Sequence, residues 1–102
     1  MPGKPSISTH VLDSERGVPA RGVQVELYRQ GRLLSAQRTN DDGRVADLVP
    51  GVLEAGTYRL VFLVPSAFFS RLEVEFTVAD PGRHYHVPLI VAPYMCTADR
   101  GS

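Results

Sequence analysis

Much of the chain alternates between apolar and polar side chains with a period of two residues, the pattern of β-strands that bury one face. The alternation is cleanest over residues 22–29, where Val23, Val25 and Leu27 share a face, and over residues 71–78. No stretch keeps a helical period over three turns, and no internal repeat is present. The pattern therefore predicts an all-β sandwich of seven or eight strands. The clearest of these lie at residues 6–12, 22–29, 32–39, 44–45, 57–64, 71–78 and 85–91.

Turn-forming residues separate these strands. Gln30-Gly31 lies between two strand-like runs and predicts a tight hairpin. Residues 40–43, Asn-Asp-Asp-Gly, predict a turn in which Asn and Asp side chains bond nearby backbone and Gly43 supplies a positive φ. Arg44 follows this turn directly, so we expect it at the start of a short strand. Residues 13–19 are interpreted as a polar connection.

The run Tyr85-His86-Val87-Pro88-Leu89-Ile90-Val91 is the most strand-like stretch of the C-terminal half. Its apolar residues fall on both parities, which predicts a strand covered on both faces. His86 faces away from its two neighbours, because successive side chains of a strand point to opposite sides. Pro88 has no N–H to donate, so the strand is expected to be an edge or to be interrupted there.

Composition narrows the class of protein. A chain of 102 residues with 43% hydrophobic residues is enough for one domain, here residues 1–102. The formal net charge is +0, so the composition shows no excess of positive charge for binding nucleic acid or an anionic membrane. No apolar run is long enough to span a bilayer. The single cysteine, Cys96, excludes an internal disulfide and favours a reducing compartment. The first residues lack the apolar run of a signal peptide, so we expect a cytoplasmic protein.

Four short blocks together resemble the transthyretin-related 5-hydroxyisourate hydrolases. They are Ile7-Ser8-Thr9-His10-Val11-Leu12-Asp13, then Thr39-Asn40 with Asp42-Gly43-Arg44, then Ala79-Asp80-Pro81 with His84-Tyr85-His86-Val87-Pro88-Leu89, and finally Arg100-Gly101-Ser102. The blocks follow the family's order and span nearly the whole chain. Each block alone is a weak signal, but the combination is specific.

The resemblance implies a transthyretin-like two-sheet β-sandwich that forms a homotetramer, a dimer of dimers with active sites between dimers. It implies hydrolysis of 5-hydroxyisourate to 2-oxo-4-hydroxy-4-carboxy-5-ureidoimidazoline in urate breakdown, by histidine-assisted attack of water, with no metal and no other cofactor. The catalytic residues carried over are His10, Arg44, His86 and Ser102. The substrate-binding residues are Arg44, Arg100, Gly101 and Ser102.

Two departures from the family pattern carry expectations of their own. Asp99 stands where the family's tail has a tyrosine, and its carboxylate is expected to repel an anionic substrate or to raise the pKa of a nearby histidine. The connection from Val64 to Arg71 is shorter than the family's, so the short helix usually found there is expected to be missing.

The residue types suit this chemistry. A histidine has an ordinary pKa near 6.5 and can accept a proton from water, and an arginine fork suits a flat, anionic heterocycle. Each residue also has a plainer interpretation: His10 as an exposed strand residue, His86 as a hydrogen-bonded neighbour of Pro88, Arg44 as a solvated turn charge. Arg100 is either a tail charge or an anchor paired with Asp99. We expect His84 to be peripheral.

Three other functions stay open at this point. The first is a non-catalytic, transthyretin-like protein that binds small ligands. The second is a structural or carbohydrate-associated sandwich domain from a larger protein. The third is zinc binding through His10, His84 and His86, which would resemble an open catalytic site.

Overall fold

The computed structural model of the protein describes residues 4–64 and 68–101, and within these ranges it contains nine strands and no helix. The strands are β1 (Ile7–Asp13), β2 (Val18–Pro19), β3 (Gln24–Arg29), β4 (Arg32–Arg38), β5 (Arg44–Val45), β6 (Gly56–Leu63), β7 (Leu72–Val78), β8 (Tyr85–Ala92) and β9 (Met95–Ala98). The all-β prediction is confirmed, and all seven listed strands are present. The two additional strands, β2 and β9, are short.

The strands form two sheets that pack as a sandwich. One sheet has the order β2-β1-β8-β9, with β5 also paired to β1, and the other has the order β4-β3-β6-β7. All pairings are antiparallel except that of β1 with β8, which is parallel. This parallel pair joins strands from opposite ends of the chain and carries the candidate site.

The hydrophobic core lies between the two sheets, where the strands' alternating apolar residues meet. Leu27, Leu60, Phe62 and Leu89 are completely buried. Burying one such side chain stabilises the fold by about 1.5–3 kcal/mol relative to leaving it exposed. The same alternation leaves the polar residues of each strand on the two outer faces.

The predicted hairpin at residues 30–31 is confirmed. Gln30 and Gly31 both have positive φ, 53° and 75°, as a two-residue turn between twisted strands requires. The predicted turn at residues 40–43 is also present, and it leads into β5 as expected.

The β8 strand differs from its prediction in two ways. It is not an edge, since it pairs with β1 on one side and with β9 on the other. It is not covered on both faces in the single chain either, because Ile90 is 44% exposed. The expected interruption at Pro88 is seen only in the ladder with β9, because the strand itself and its pairing with β1 continue through this residue. The β8–β9 ladder ends at the pair Leu89–Ala98, and beyond it Asp99 N donates to Pro88 O at 3.2 Å while the proline has no N–H to return.

The connection between β6 and β7 contains no helix at residues 68–70, while residues 65–67 lie outside the described part of the chain. Nor does the described part hold any helix with the length and hydropathy needed to cross a membrane.

Candidate active site

The two site histidines lie on the outer face of the five-stranded sheet. Both are half-buried: His10 lies between the buried Thr9 and Val11 of β1, and His86 lies between the buried Tyr85 and Val87 of β8. The parallel register places Ser8 opposite His86 and His10 opposite Pro88. Since directly paired residues of neighbouring strands share a face, Ser8, His10 and His86 all project from the same side of the sheet.

Arg44 joins this face from the other side of β1. The antiparallel β1–β5 pairing puts it directly opposite His10. The turn before it is held by Asn40, whose side-chain Oδ1 accepts hydrogen bonds from Asp42 N at 2.9 Å and Arg44 N at 3.0 Å. Gly43, with a φ of 75°, lets this turn approach β1 closely, and its carbonyl accepts Val11 N at 2.7 Å. The guanidinium is thus carried on a rigid turn although the side chain is exposed.

A buried serine links the two histidines of the His-Tyr-His run. The hydroxyl of Ser8 lies 2.8 Å from His84 Nε2 and 2.8 Å from His86 Nδ1. The backbone N–H of Ser6 in turn donates to His84 Nδ1 at 3.3 Å. Ser8 is only 8% exposed, so the hydroxyl that bridges the two rings is largely shielded from water.

These side chains surround a cavity of about 290 Å³ at the surface of the sheet. It is lined by Ser8, Thr9, Asn40, Arg44, Val45, Ala46, His84 and His86. His10 is not among the described lining residues, and instead lies on the same face opposite Arg44. A second cavity of about 320 Å³ lies on the far side of His86, against β7 and the tail, and its lining is mainly apolar. The smaller cavity is the better candidate because two imidazoles and the guanidinium of Arg44 converge on it, whereas the larger cavity has one imidazole, with Asp99 and Arg100, in a mainly apolar lining.

The surroundings of His86 favour its neutral form. Burial lowers the pKa of His86 below its ordinary value, and electrostatic interaction with Arg44, and then with His10 and His84, lowers it further. The expectation that Asp99 raises the pKa of a nearby histidine is therefore wrong for His86.

The tail reaches this site through Gly101. Its N–H donates to His86 O at 2.7 Å, and the two residues form a bridge beyond the end of β9. A Cβ on Gly101 would stand 2.6 Å from His86 Cδ2, so the tail backbone lies directly against the imidazole. Glycine is required here by this close approach. Ser102, predicted to be catalytic and to bind substrate, lies outside the described residues.

Arg100 and Asp99 do not join the cluster around the cavity. Arg100 Cζ lies 5.2 Å from the ring centroid of Tyr85, a residue of the inner face of β8. The Asp99 carboxylate accepts a hydrogen bond from Arg100 N at 2.7 Å and is exposed. Arg100 and Asp99 instead line the second cavity, which they share with His86, and the contact with Tyr85 favours the interpretation of Arg100 as an anchor.

Two other kinds of chemistry, metal binding and thiol chemistry, can be compared with the structure. Within residues 4–64 and 68–101, no three His, Cys, Asp or Glu side chains are grouped as a metal site requires, so the zinc hypothesis for His10, His84 and His86 gains no support. Burial raises the pKa of the Cys96 thiol, which disfavours the reactive thiolate.

The sequence interpretation missed Ser8 and misjudged His84. His84 was expected to be peripheral, yet it lines the cavity and shares the Ser8 hydroxyl with His86. The period of two along β1 places Ser8 on the face of His10, which is a usable signal. The partner of Ser8 depends on the β1–β8 register, which no local pattern encodes.

Comparisons with known proteins agree with this fold. The family model of the HIUase/Transthyretin family matches residues 7–101. The 5-hydroxyisourate hydrolase of Pseudomonas aeruginosa is 40% identical, with 94% of this chain and 90% of that protein aligned. The solved structure of Klebsiella pneumoniae 5-hydroxyisourate hydrolase matches with a TM-score of 0.87 at 34% identity, covering 96% of this chain and 94% of that one. Sea bream transthyretin in complex with thyroxine has the same fold, with a TM-score of 0.80 at 23% identity over 93% of each chain. On these matches, the chain belongs to the HIUase/Transthyretin family.

Proposed function

We propose that this protein hydrolyses 5-hydroxyisourate to 2-oxo-4-hydroxy-4-carboxy-5-ureidoimidazoline, a step of urate degradation in the cytoplasm. The observation that carries the proposal is the strand register, which brings His10, Arg44 and His86 to one face although they are far apart in sequence. The relatives named as 5-hydroxyisourate hydrolases support the substrate. The single cysteine of the chain supports the reducing compartment.

The reaction needs a base for water and a positive or donor group for the carbonyl oxygen. The water oxygen bonds to the ring carbonyl carbon, its proton passes to His10, and the carbonyl electron pair moves to oxygen. The C–N bond then breaks, and the ring nitrogen takes the proton from the His10 imidazolium, which restores the neutral base. The planar fork of Arg44 binds the flat, anionic substrate and stabilises the developing negative charge. The scheme uses no metal and no covalent intermediate.

The tail completes the site in this proposal. Gly101 lies against the His86 ring, and Ser102 is the residue that follows Gly101 in the sequence. Its hydroxyl and terminal carboxylate are proposed to contact substrate or water. Arg100 is proposed to hold the tail by packing on Tyr85.

A homotetramer, a dimer of dimers, is proposed as the working form. The outer face that carries the cavity is uncovered in the single chain, with Arg44 exposed and Ile90 44% exposed. A second copy of the chain would exclude water from this face and strengthen the electrostatic contacts within the site. Native mass spectrometry tests this directly, since the protomer mass is 11.2 kDa.

A coupled assay tests the activity. Urate oxidase generates 5-hydroxyisourate, and its decay in the ultraviolet is followed with and without this protein. The wild type is expected to accelerate the decay, and Arg44→Gln is expected to lower kcat/KM by about 100-fold, because it removes charge stabilisation of the transition state. Arg32→Gln, an exposed arginine on β4 of the other sheet, is the matched control and should keep full activity. Full activity of Arg44→Gln would contradict the assigned role.

A non-catalytic small-ligand binding protein is the second candidate. The observation that favours it is the mainly apolar cavity of about 320 Å³ between β7 and β8. Saturable binding of a small aromatic ligand, together with no acceleration of 5-hydroxyisourate decay, would select this function over the hydrolase.

A further inference from the structure

A line of hydrogen bonds runs from the backbone of Ser6 to the His86 ring. Ser6 N–H meets His84 Nδ1, His84 Nε2 meets the Ser8 hydroxyl, and the same hydroxyl meets His86 Nδ1. The two ring contacts of Ser8 are both 2.8 Å, which is a normal length for such bonds. His84 is exposed, whereas Ser8 is buried.

The first bond sets the direction of all the others. A backbone N–H can only donate, so His84 Nδ1 must accept, and a neutral His84 then carries its proton on Nε2. That N–H donates to the Ser8 oxygen, which leaves the serine proton for His86 Nδ1. In the opposite arrangement, both rings would donate to Ser8, and its buried hydroxyl proton would have no acceptor among the described residues. An unsatisfied buried hydroxyl costs free energy and is rare in folded proteins.

We propose that His84 is a positioning residue which, through Ser8, holds the neutral His86 ring as its Nε2–H tautomer, so that His86 acts as a hydrogen-bond donor to the substrate. His86 Nδ1 is occupied by Ser8, and the edge of the ring that carries Cδ2 faces Gly101, so Nε2 is the ring nitrogen left to meet a substrate.

The charges around the ring agree with this role. His86 is flanked by Arg44 on β5, His10 on β1 and His84 before β8. Burial and then the charge of Arg44 lower the pKa of His86, which favours the neutral ring near neutral pH. A neutral Nε2–H donates a hydrogen bond to the carbonyl oxygen as negative charge develops there, and no proton leaves the ring. These roles rest on the proposed function: His10 accepts the proton of the attacking water, and His86 stabilises the carbonyl oxygen of the substrate.

Nitrogen-15 NMR of histidine-labelled protein reads the tautomer without any substrate. The chain has three histidines, so the spectrum holds only three ring systems to assign. In the wild type, His86 Nε2 is expected to be protonated and Nδ1 not. Ser8→Ala, which removes the bridge, is expected to give a mixture of tautomers. A wild-type His86 protonated on Nδ1 would overturn the inference.

Kinetics of two His84 variants test the consequence. His84→Phe loses the donor to Ser8 and is expected to lower kcat by about fivefold to tenfold with KM changed less than about twofold, the loss for one neutral hydrogen bond made in the transition state. His84→Gln places an amide N–H near the position of Nε2 and is expected to restore most of kcat and the Nε2–H tautomer. Since His84 is exposed, both variants should fold, and loss of the acceptor for Ser6 N–H should lower the melting temperature of His84→Phe only slightly.

The outcomes separate this inference from the proposed function. Unchanged kcat and tautomer in both Ser8→Ala and His84→Phe would overturn the positioning role in an active hydrolase. The expected tautomers in a protein that does not accelerate 5-hydroxyisourate decay would support the hydrogen-bond direction and overturn the proposed function instead.

Discussion

Replacing Gly101 with alanine should damage catalysis while leaving the fold almost intact. The Cβ of alanine would stand 2.6 Å from His86 Cδ2, 3.2 Å from Cγ and 3.3 Å from Cβ. Ordinary contact begins at 3.4 Å, so the shortfall from 3.4 to 2.6 Å requires a shift of about 0.8 Å. The His86 backbone is fixed between β1 and the tail, so the shift falls on the tail and on the ring.

The size of the effect follows from that displacement. A misplacement of about 1 Å at a reacting centre can cost about 100-fold in rate, and we expect a loss of that order in kcat/KM. The stability loss should be small, since the contact most directly at risk is the hydrogen bond from Gly101 N to His86 O, with a net contribution of about 1 kcal/mol. Initial rates in the urate oxidase-coupled assay and thermal melts followed by circular dichroism measure the two quantities on the same preparation.

Gly31→Ala is the matched control, because it should have the opposite effects. Gly31 has a φ of 75° in the β3–β4 turn, and a Cβ there would meet no atom within 4 Å. Alanine in this left-handed conformation costs about 1–2 kcal/mol of stability, but the turn belongs to the sheet that does not carry the site, so activity should be unchanged. Wild-type kcat/KM in Gly101→Ala would refute the packing of the tail on His86.

Three further predictions follow from the same geometry. Gly43→Ala should lower the free energy of unfolding by about 2–4 kcal/mol in denaturant melts and also slow hydrolysis, because its Cβ would stand 2.5 Å from Val11 O at a φ of 75°. A melt like the wild type's would contradict the close approach of this turn to β1. Because burial and nearby charges lower the pKa of folded His86 below its unfolded value of 6.5, the unfolded state binds more protons just below that pH. Stability should therefore fall as pH drops from 6.5 through the folded pKa, and His86→Asn should flatten this slope; an equal slope in both proteins would argue against the shift. Arg44→Lys should raise KM by about tenfold, because lysine lacks the planar fork of the guanidinium. The free energy of unfolding should change by no more than about 0.5 kcal/mol, because the side chain is exposed. An unchanged KM would show that the fork does not bind substrate.

The strands that the sequence predicted well are those whose local pattern and tertiary surroundings agree. The alternation along β3 and β7 reappears as alternating burial, and Gln30-Gly31 forms the hairpin that its turn chemistry favours. The strands that were missed lack such a pattern. β2 is a two-residue strand containing a proline, and β9 has the sequence Met-Cys-Thr-Ala, so both exist because a neighbouring strand offers hydrogen bonds.

The residues of the candidate site also fall into two groups, those that the sequence indicated and those that depend on strand pairing. The resemblance to a family supplied His10, Arg44 and His86, while periodicity alone left each with a plainer interpretation. The Ser8 bridge and the inclusion of His84 depend on a parallel pairing between residues nearly 80 positions apart, with separations of 76 and 78 along the chain for the two ring contacts. Strand pairs of this kind need information about which strands are neighbours, and a window of local sequence does not contain it.

The position of the imidazoles is nevertheless fixed by the hydrophobic core. Tyr85, Val87 and Leu89 are buried on one face of β8, as are Ile7 and Val11 on β1. A slip of one residue in either strand would turn these apolar side chains to the outside and the histidines into the core. Burying an imidazole without a partner costs free energy, and exposing several core side chains costs about 1.5–3 kcal/mol each, so the slipped register is excluded by a wide margin. The outward orientation of His10 and His86 is thus a consequence of the same alternation that builds the sandwich, which is why a short chain can hold three charged or polar groups in one place without a dedicated loop.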